Sequence, residues 1–329
     1  MSNRRLIFNG AGSLVRAAAV LASLAVVPAL AQDIDFSAAE IHILPVQGSV
    51  YMLVGPVGNS TVQIGDDGVL VVDTQYAELS DKILAAIREL SDGPIRYVLN
   101  THGHPDHVGG NEPIAAAGST IAAGNVSGAI SDADRGAAIV AHENVLLRMS
   151  QLDPAPPFRA WPTDTFFVER KDLYFNGEPI QLFHQPNAHT DGDVFVHFRR
   201  SDVISAGDIF VTTSYPFIDA PAGGNINGII DGLNRIIAIA VPADKQEDGT
   251  LIVPGHGRLA DEADVVEYRD MLTIIRDRVA AMVDEGMSLR QVQAARPTRD
   301  YDGRYGSDSG FWTTQAFVEA VYNNLREAR

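Results

Sequence analysis

Residues 41–74 alternate between short apolar runs and turn residues. IHILPVQG, SVYMLVG, STVQIG and GVLVVDT are rich in β-branched and aromatic side chains, and Gly65-Asp66-Asp67-Gly68 separates the last two. That pattern predicts successive strands joined by tight turns. The period then changes. In ELSDKILAAIRELSD, Ile83, Leu84, Ile87 and Leu90 recur at helical spacing, with Ser80 and Asp81 as candidate caps. PIRYVLN and STIAAG read as strands, AIVAHENVLLRMSQL as helix, and the proline-rich DPAPPFRAWPTD as a surface loop. A second strand block follows in TFFVER, DLYF, PIQLFHQ, DVFVHFR and DVISAG. The loop SYPFIDAPAGGNINGI leads into the helix IDGLNRIIAIAV, GTLIVPGHG adds a strand, and the C-terminal third is mostly amphipathic helix. No short repeat and no linker interrupt this order, which predicts an α/β domain of two sheet-plus-helix halves packed sheet to sheet.

The first residues follow a different logic. Arg4 and Arg5 precede the apolar AAAVLASLAVVPALA, and Ala29-Leu30-Ala31 fits a small-x-small cleavage site. The run is too short for a membrane span, so residues 1–31 are expected to be a signal peptide and residues 32–329 a single periplasmic or secreted domain. RRLIF fits twin-arginine export only in part, and the route stays open. No stable membrane insertion is expected after cleavage. Losing Arg4, Arg5 and Arg16 moves the formal charge from −17 to −20, which argues against a nucleic-acid partner. Oligomeric state is not legible. The chain has no cysteine, so it has no disulfide framework, and any metal site must use nitrogen and oxygen donors.

Three of the nine histidines fall within NTHGHPDHVGG, which also holds an aspartate. Imidazoles so crowded repel one another if each is protonated, whereas a bound cation displaces those protons and holds the rings together. Alternate residues of an extended segment point the same way, so His102 and His104 can grip one ion, while the Pro105 turn redirects Asp106 and His107 toward another. NAHTDGD (His189), SAGDIF (Asp208) and VPGHG (His256) each lie at a predicted strand end, where a rigid scaffold presents functional groups. Seven donors are too many for one tetrahedral ion and suit two. The assignment is His102, His104 and His189 to one ion, Asp106, His107 and His256 to the other, and Asp208 between them. Zn²⁺ is the expected ion, with iron or manganese open. His42, His142, His184 and His197 are read as structural, as are Glu143 and Asp191.

THGHPDHVGG, NAHTDGD, AGDIF and PGHG, in this order, resemble the metallo-β-lactamase superfamily, as do the strands of VGNSTVQIGDDGVLVVDT. The resemblance implies an αββα sandwich, a binuclear zinc site of the bridging-aspartate kind and hydrolysis of a small-molecule carbonyl substrate. A metal-bridging hydroxide would attack the carbonyl, with Asp106 as ligand and as the catalytic group orienting the nucleophile. The chain departs from well-known zinc β-lactamases in having Asp208 where they use cysteine, and Val211 where they carry a substrate-anchoring lysine. Acyl-homoserine lactonases keep the aspartate but place a tyrosine at position 211. β-Lactam ring opening, weak or promiscuous, is the leading expectation, a lactone, ester or thioester hydrolase the alternative, and a non-catalytic zinc-binding scaffold the rival from another class. Asn225 and Trp161, with Phe158, are candidate substrate contacts.

Overall fold

The computed structural model describes residues 35–120 and 136–327. The expected signal peptide and most of STIAAG lie outside the described residues. From Asp35 onward the chain forms one compact unit. Among the described residues, no helix is long and apolar enough to cross a membrane.

The first half contains β1 (His42–Gln47), β2 (Val50–Val54), β3 (Asn59–Gly65), β4 (Gly68–Val72), α1 (Ser80–Leu90), β5 (Ile95–Leu99), α2 (Pro105–Val108), α3 (Asn111–Ala116), β6 (Ala138–His142), α4 (Glu143–Gln151) and β7 (Asp164–Phe166). The second contains β8 (Arg170–Phe175), β9 (Glu178–His184), β10 (Val194–Phe198), β11 (Val203–Gly207), α5 (Ile226–Ile239), β12 (Leu251–Pro254), β13 (Ala260–Asp261), α6 (Glu262–Asp284), α7 (Leu289–Ala295), α8 (Asp302–Tyr305) and α9 (Thr314–Glu327). The strands make a seven-stranded sheet in the order β1-β2-β3-β4-β5-β6-β7 and a six-stranded sheet in the order β13-β12-β11-β10-β9-β8. This is the αββα arrangement.

Strand β4 shows why two sheets with outer helices form. All five of its residues are buried. Leu70 and Val72 join Leu99, Val140, Leu182, Val196 and Val253 in the core between the sheets. Val69 and Val71, on the alternate face, pack with Ile83 and Ile87 of α1. A strand covered on both faces reads as an unbroken apolar run, which is what GVLVV is. In the other half, Ile204 and Ala206 of β11 pack beneath Leu233 of α5, Leu272 of α6 and Phe317 of α9.

Pairing then positions the site. β4, β5, β6 and β7 are mutually parallel, as are β11 and β12. Parallel neighbours need crossover connections, which bring successive strand C-termini to the same edge. Asp73 follows β4, His102 follows β5, Asp208 follows β11 and His256 follows β12.

Three local expectations need correction. AIVAH is strand β6 rather than helix, because its apolar residues pair in parallel with β5 and β7 inside the sheet. The helix begins only at Glu143, where His142 Nδ1 caps it by accepting the Asn144 N–H. Ser80 and Asp81 do not cap α1. A 3₁₀ turn over Ala77–Leu79 feeds directly into the helix, and Leu79 stands at the cap position without a side-chain bond. TFFVER supplies only a short strand ending at Phe166, and Phe167 and Val168 are exposed.

Leu70 is fully buried between the sheets. Leu70→Ala is expected to cost about 2–5 kcal/mol of stability, read as a lower urea midpoint with an unchanged m-value.

Candidate metal centre

The HGHPDH segment leaves the end of β5 and turns on Pro105, which occupies the first position of α2. The residue before a proline is confined to extended backbone, and His104 adopts φ −73°, ψ 149°. His104 therefore lies on extended chain just after the bend that holds His102, while Asp106 and His107 stand on the first helical turn. His189 sits in the turn between β9 and β10.

The fold brings all seven sequence-predicted donors together in three overlapping groups: His102, His104 and His189; His102, His107 and Asp208; and Asp106, His107 and His256. Within each group the donor atoms lie within 4.8 Å of one another. Asp208 reaches both sides, with Oδ1 3.3 Å from His107 Nε2 and Oδ2 3.3 Å from His256 Nε2 and 3.7 Å from His189 Nε2. Asp106 Oδ2 is 3.4 Å from His256 Nε2.

The far side of each ring fixes which nitrogen faces the cluster. His107 Nδ1–H donates to Asp73 at 2.8 Å, His189 Nδ1–H to the Phe217 carbonyl at 2.7 Å, and His256 Nδ1–H to the Val57 carbonyl. These bonds leave Nε2 as the inward donor on all three. His104 is turned the other way. Its Nε2–H donates to Asp219 Oδ2 at 2.9 Å, and its Nδ1 meets His189 Nε2 at 2.9 Å.

Two glycines permit this approach. A Cβ on Gly255 would lie 2.0 Å from Asp208 Oδ1, and Gly207 has φ +52° with Thr101 against it. The glycines of AGD and PGHG let two strand ends pass beside the carboxylate.

The electrostatics suit cations. Burial pushes His102 well below the ordinary imidazole value, with His107 and His189 adding to the effect. Burial, with His104, takes His189 down to about 4. Burial opposes protonation of His107 too, but the carboxylates of Asp208, Asp106 and Asp73 carry it well above its usual value. His256 is likewise raised by Asp208 against the effect of burial. Burial would raise Asp208, yet His256 and His107 hold it well below the carboxylate range. The acidic neighbours thus favour positive charge on the His107 and His256 side, which divalent metal would supply in place of protons.

Unsatisfied atoms test the fit. His102 Nε2 is buried with no hydrogen-bond partner, and Asp208 Oδ1 lacks one of good geometry. Such an atom costs about 1–3 kcal/mol unless something binds it. Nitrogen and carboxylate donors at these spacings, with unsatisfied atoms aimed at their centre, fit two divalent ions.

Asn225 and Trp161 are not brought into this cluster. Asn225 caps α5 through its own side chain, which accepts the Asn227 N–H, and lines a cavity with Gln185 and Asp231. Trp161 donates to the Pro156 carbonyl and lines another cavity with Leu146 and the exposed Phe158. His42 is exposed, His184 stacks on His142 at 3.5 Å, His197 is buried in β10, and Asp191 pairs with Arg148.

Sequence inspection missed Asp73, Asp193, Phe217 and Asp219. Asp73 lies in the quoted GVLVVDT and Asp193 in NAHTDGD, so motif membership marked both. Asp193 accepts the backbone N–H groups of His189 and Thr190, and burial raises it to about 7. Asp219 has no such signal, since it meets His104 from 115 residues away. Removing that orienting carboxylate in Asp219→Ala is expected to weaken divalent-metal binding by the His102, His104 and His189 group by about 10–100-fold, measured by chelator competition, with secondary structure unchanged by circular dichroism.

A family model for the metallo-beta-lactamase superfamily matches residues 53–256. The chain is 25% identical over 264 residues to a linear primary-alkylsulfatase from Pseudomonas sp., covering 68% of this chain and 46% of that protein. It is 25% identical over 180 residues to the alpha subunit of a 2,4-dinitroanisole O-demethylase from Nocardioides sp., covering 53% and 48%. The chain spans about half the length of these curated relatives. Among solved structures, a metallo-beta-lactamase from Pontibacter korlensis superposes with TM-score 0.54 at 15% identity, covering 71% of this chain and 99% of the other. A double mutant of the sec-alkyl sulfatase PisA1 superposes with TM-score 0.59 at 16% identity, covering 86% and 50%. These structural likenesses extend the agreement in fold. With a model match over most of the folded chain and seven donors converging at its strand ends, the protein belongs to the metallo-beta-lactamase superfamily of metal-dependent hydrolases.

Proposed function

We propose that this protein is a binuclear zinc hydrolase that adds water at a carbonyl carbon of a small molecule and breaks its acyl bond to the leaving oxygen, nitrogen or sulfur, exported by the N-terminal segment that the sequence marks for cleavage after Ala31. The observation that carries the reading is the position of Asp208, within 3.7 Å of donor nitrogens on both sides of the cluster. When bound, two divalent ions supply an acidified water and an electrophile for the carbonyl oxygen.

The chain's own residues do the rest. His102, His104 and His189 hold one side of the cluster, while His107, His256 and Asp106 hold the other. The inward nitrogens are set by Asp73, Asp219 and the Phe217 and Val57 carbonyls. Asp106 is partly exposed where its neighbour His107 is fully buried, so its carboxylate stands at the open side. There it can accept a proton from the attacking water and orient it. No side-chain nucleophile is required.

β-Lactam ring opening belongs to this class and is the first activity to assay. Val211, at the position where the well-known zinc β-lactamases anchor a substrate carboxylate, is instead buried in the core beneath α5 and α6. That favours a lactone or ester without an anionic anchor over an efficient β-lactamase. Sulfate ester cleavage is a second reading, favoured by the alkylsulfatase matched over 68% of this chain.

Zinc analysis of the purified protein, combined with turnover of a chromogenic β-lactam, γ-lactones, p-nitrophenyl esters, thioesters and p-nitrophenyl sulfate, separates these readings. Carbonyl turnover that a chelator abolishes and zinc restores is expected. Asp106→Asn is expected to lower kcat by about 10²-fold or more. Two bound zinc ions with no turnover of any substrate would mark a non-catalytic scaffold.

A further inference from the structure

One edge of the centre is built from aromatic rings that metal binding does not require. Phe217 lies 5.8 Å from the His104 ring and 5.5 Å from the His189 ring, centroid to centroid. Phe311 meets Phe217 at 5.2 Å and 70°, and Trp312 meets it at 4.8 Å and 81°. Phe217 thus stands beside His104 and His189, and Phe311 and Trp312 from a distant segment pack on it. Phe217 and Trp312 are partly buried, whereas Phe311 remains 67% exposed.

The rings are held on a fixed frame. The Phe217 carbonyl accepts the Nδ1–H of His189, and the Trp312 indole N–H donates to the Pro216 carbonyl at 3.1 Å. Ser307 and Thr314 close the turn that carries Phe311, through Thr314 N–H to the Ser307 carbonyl and Ser307 N–H to Thr314 Oγ1. Behind this frame, the Tyr215 hydroxyl bonds the Thr298 carbonyl and Asp302 at 3.1 Å each. An aromatic ring kept in water by so many tethers is unlike an isolated surface apolar residue, which needs no scaffold.

Two arginines and Asp219 are held in ion pairs: Arg148 binds Asp191 at 2.6 Å, Arg258 binds Asp264 at 2.6 Å, and Asp219 is held by His104. The aromatic rings themselves offer dispersion and ring stacking rather than an anchor for a carboxylate or phosphate.

We propose that Phe217 and Phe311 form the wall against which an apolar group of the substrate lies, next to the bond being cleaved, and that the substrate class is esters or lactones bearing an aryl or medium-chain alkyl group. This rests on the hydrolase reading above and adds the specificity-determining surface. Phe217 supplies the part nearest the histidines. Phe311 extends it outward, so longer groups reach further along the wall.

The test uses the zinc-loaded protein and p-nitrophenyl esters of acetate, butyrate, hexanoate and phenylacetate. Each methylene that becomes buried is expected to raise kcat/KM by about fourfold, and Phe311→Ala is expected to cut the hexanoate-to-acetate ratio about tenfold, with Phe311→Leu retaining most of it. Phenylacetate binding by isothermal titration gives a readout independent of turnover, and Phe311→Ala is expected to weaken it severalfold. Thermal melts confirm the fold of each variant. If neither these esters nor lactones, thioesters or a β-lactam are turned over but phenylacetate binding still depends on Phe311, the hydrolase reading fails and the wall stands. Ester turnover with no chain-length preference, or a preference and binding that survive in Phe311→Ala, overturns the wall. Absence of both turnover and Phe311-dependent binding overturns both.

Discussion

Five imidazoles and two carboxylates share a space a few ångströms across at the strand ends of this protein, and the rings at its heart are shut off from water. His102, His107 and His189 are fully buried. Such a group of donors is stable without repulsion only when positive charge occupies its centre. Without an ion, protons do that work: Asp208 and Asp106 hold His107 protonated, while burial keeps His102 and His189 neutral. The neutral trio is already in the form that binds metal, and the protonated side carries the charge a second ion would replace.

The fold serves that constraint by making the donors immobile. Parallel pairing of β4 with β5 and of β11 with β12 sends Asp73, His102, Asp208 and His256 to the strand ends that form the cleft. An outer set of acids then orients the rings. Asp73 binds His107 as well as the Thr101 backbone and hydroxyl, so one carboxylate links β4, the end of β5 and α2. Asp193 pins the backbone at His189, and Asp219 pins the ring of His104. Metal-ligating histidines depend on such partners for both tautomer and direction.

The same constraint joins the metal centre to its substrate side. Loop residues 215–225 contact the first trio through the Phe217 carbonyl at His189, the Asp219 N–H at the His189 carbonyl and the Asp219 carboxylate at His104. The C-terminal segment in turn holds this loop, through Trp312 to Pro216 and Tyr215 to Asp302. Residues that follow the matched region of the chain thus help shape the site. Phe217 belongs to both systems, orienting a histidine with its backbone and packing its ring between the histidines and the C-terminal aromatics.

By itself, the sequence determined the two sheet-plus-helix halves and the seven donors. Strand and helix periods are local, and His-x-His-x-Asp-His followed by NAHTDGD, AGDIF and PGHG is a donor set written in order along the chain. It misread AIVAH, whose apolar run serves a buried parallel strand as well as a helix and is resolved only by pairing with β5 and β7. Asn225 and Trp161 read as substrate contacts from their loops, and the fold sets Asn225 Oδ1 at a helix cap and the Trp161 indole N–H on a loop carbonyl, apart from the seven gathered side chains. Tertiary structure alone decided that Asp219 faces His104, that Phe311 packs on Phe217, and that His104 turns its Nδ1 inward while its neighbours present Nε2. Contacts between residues about a hundred positions apart leave no periodic trace in the chain, because they depend on where the sheets place each loop.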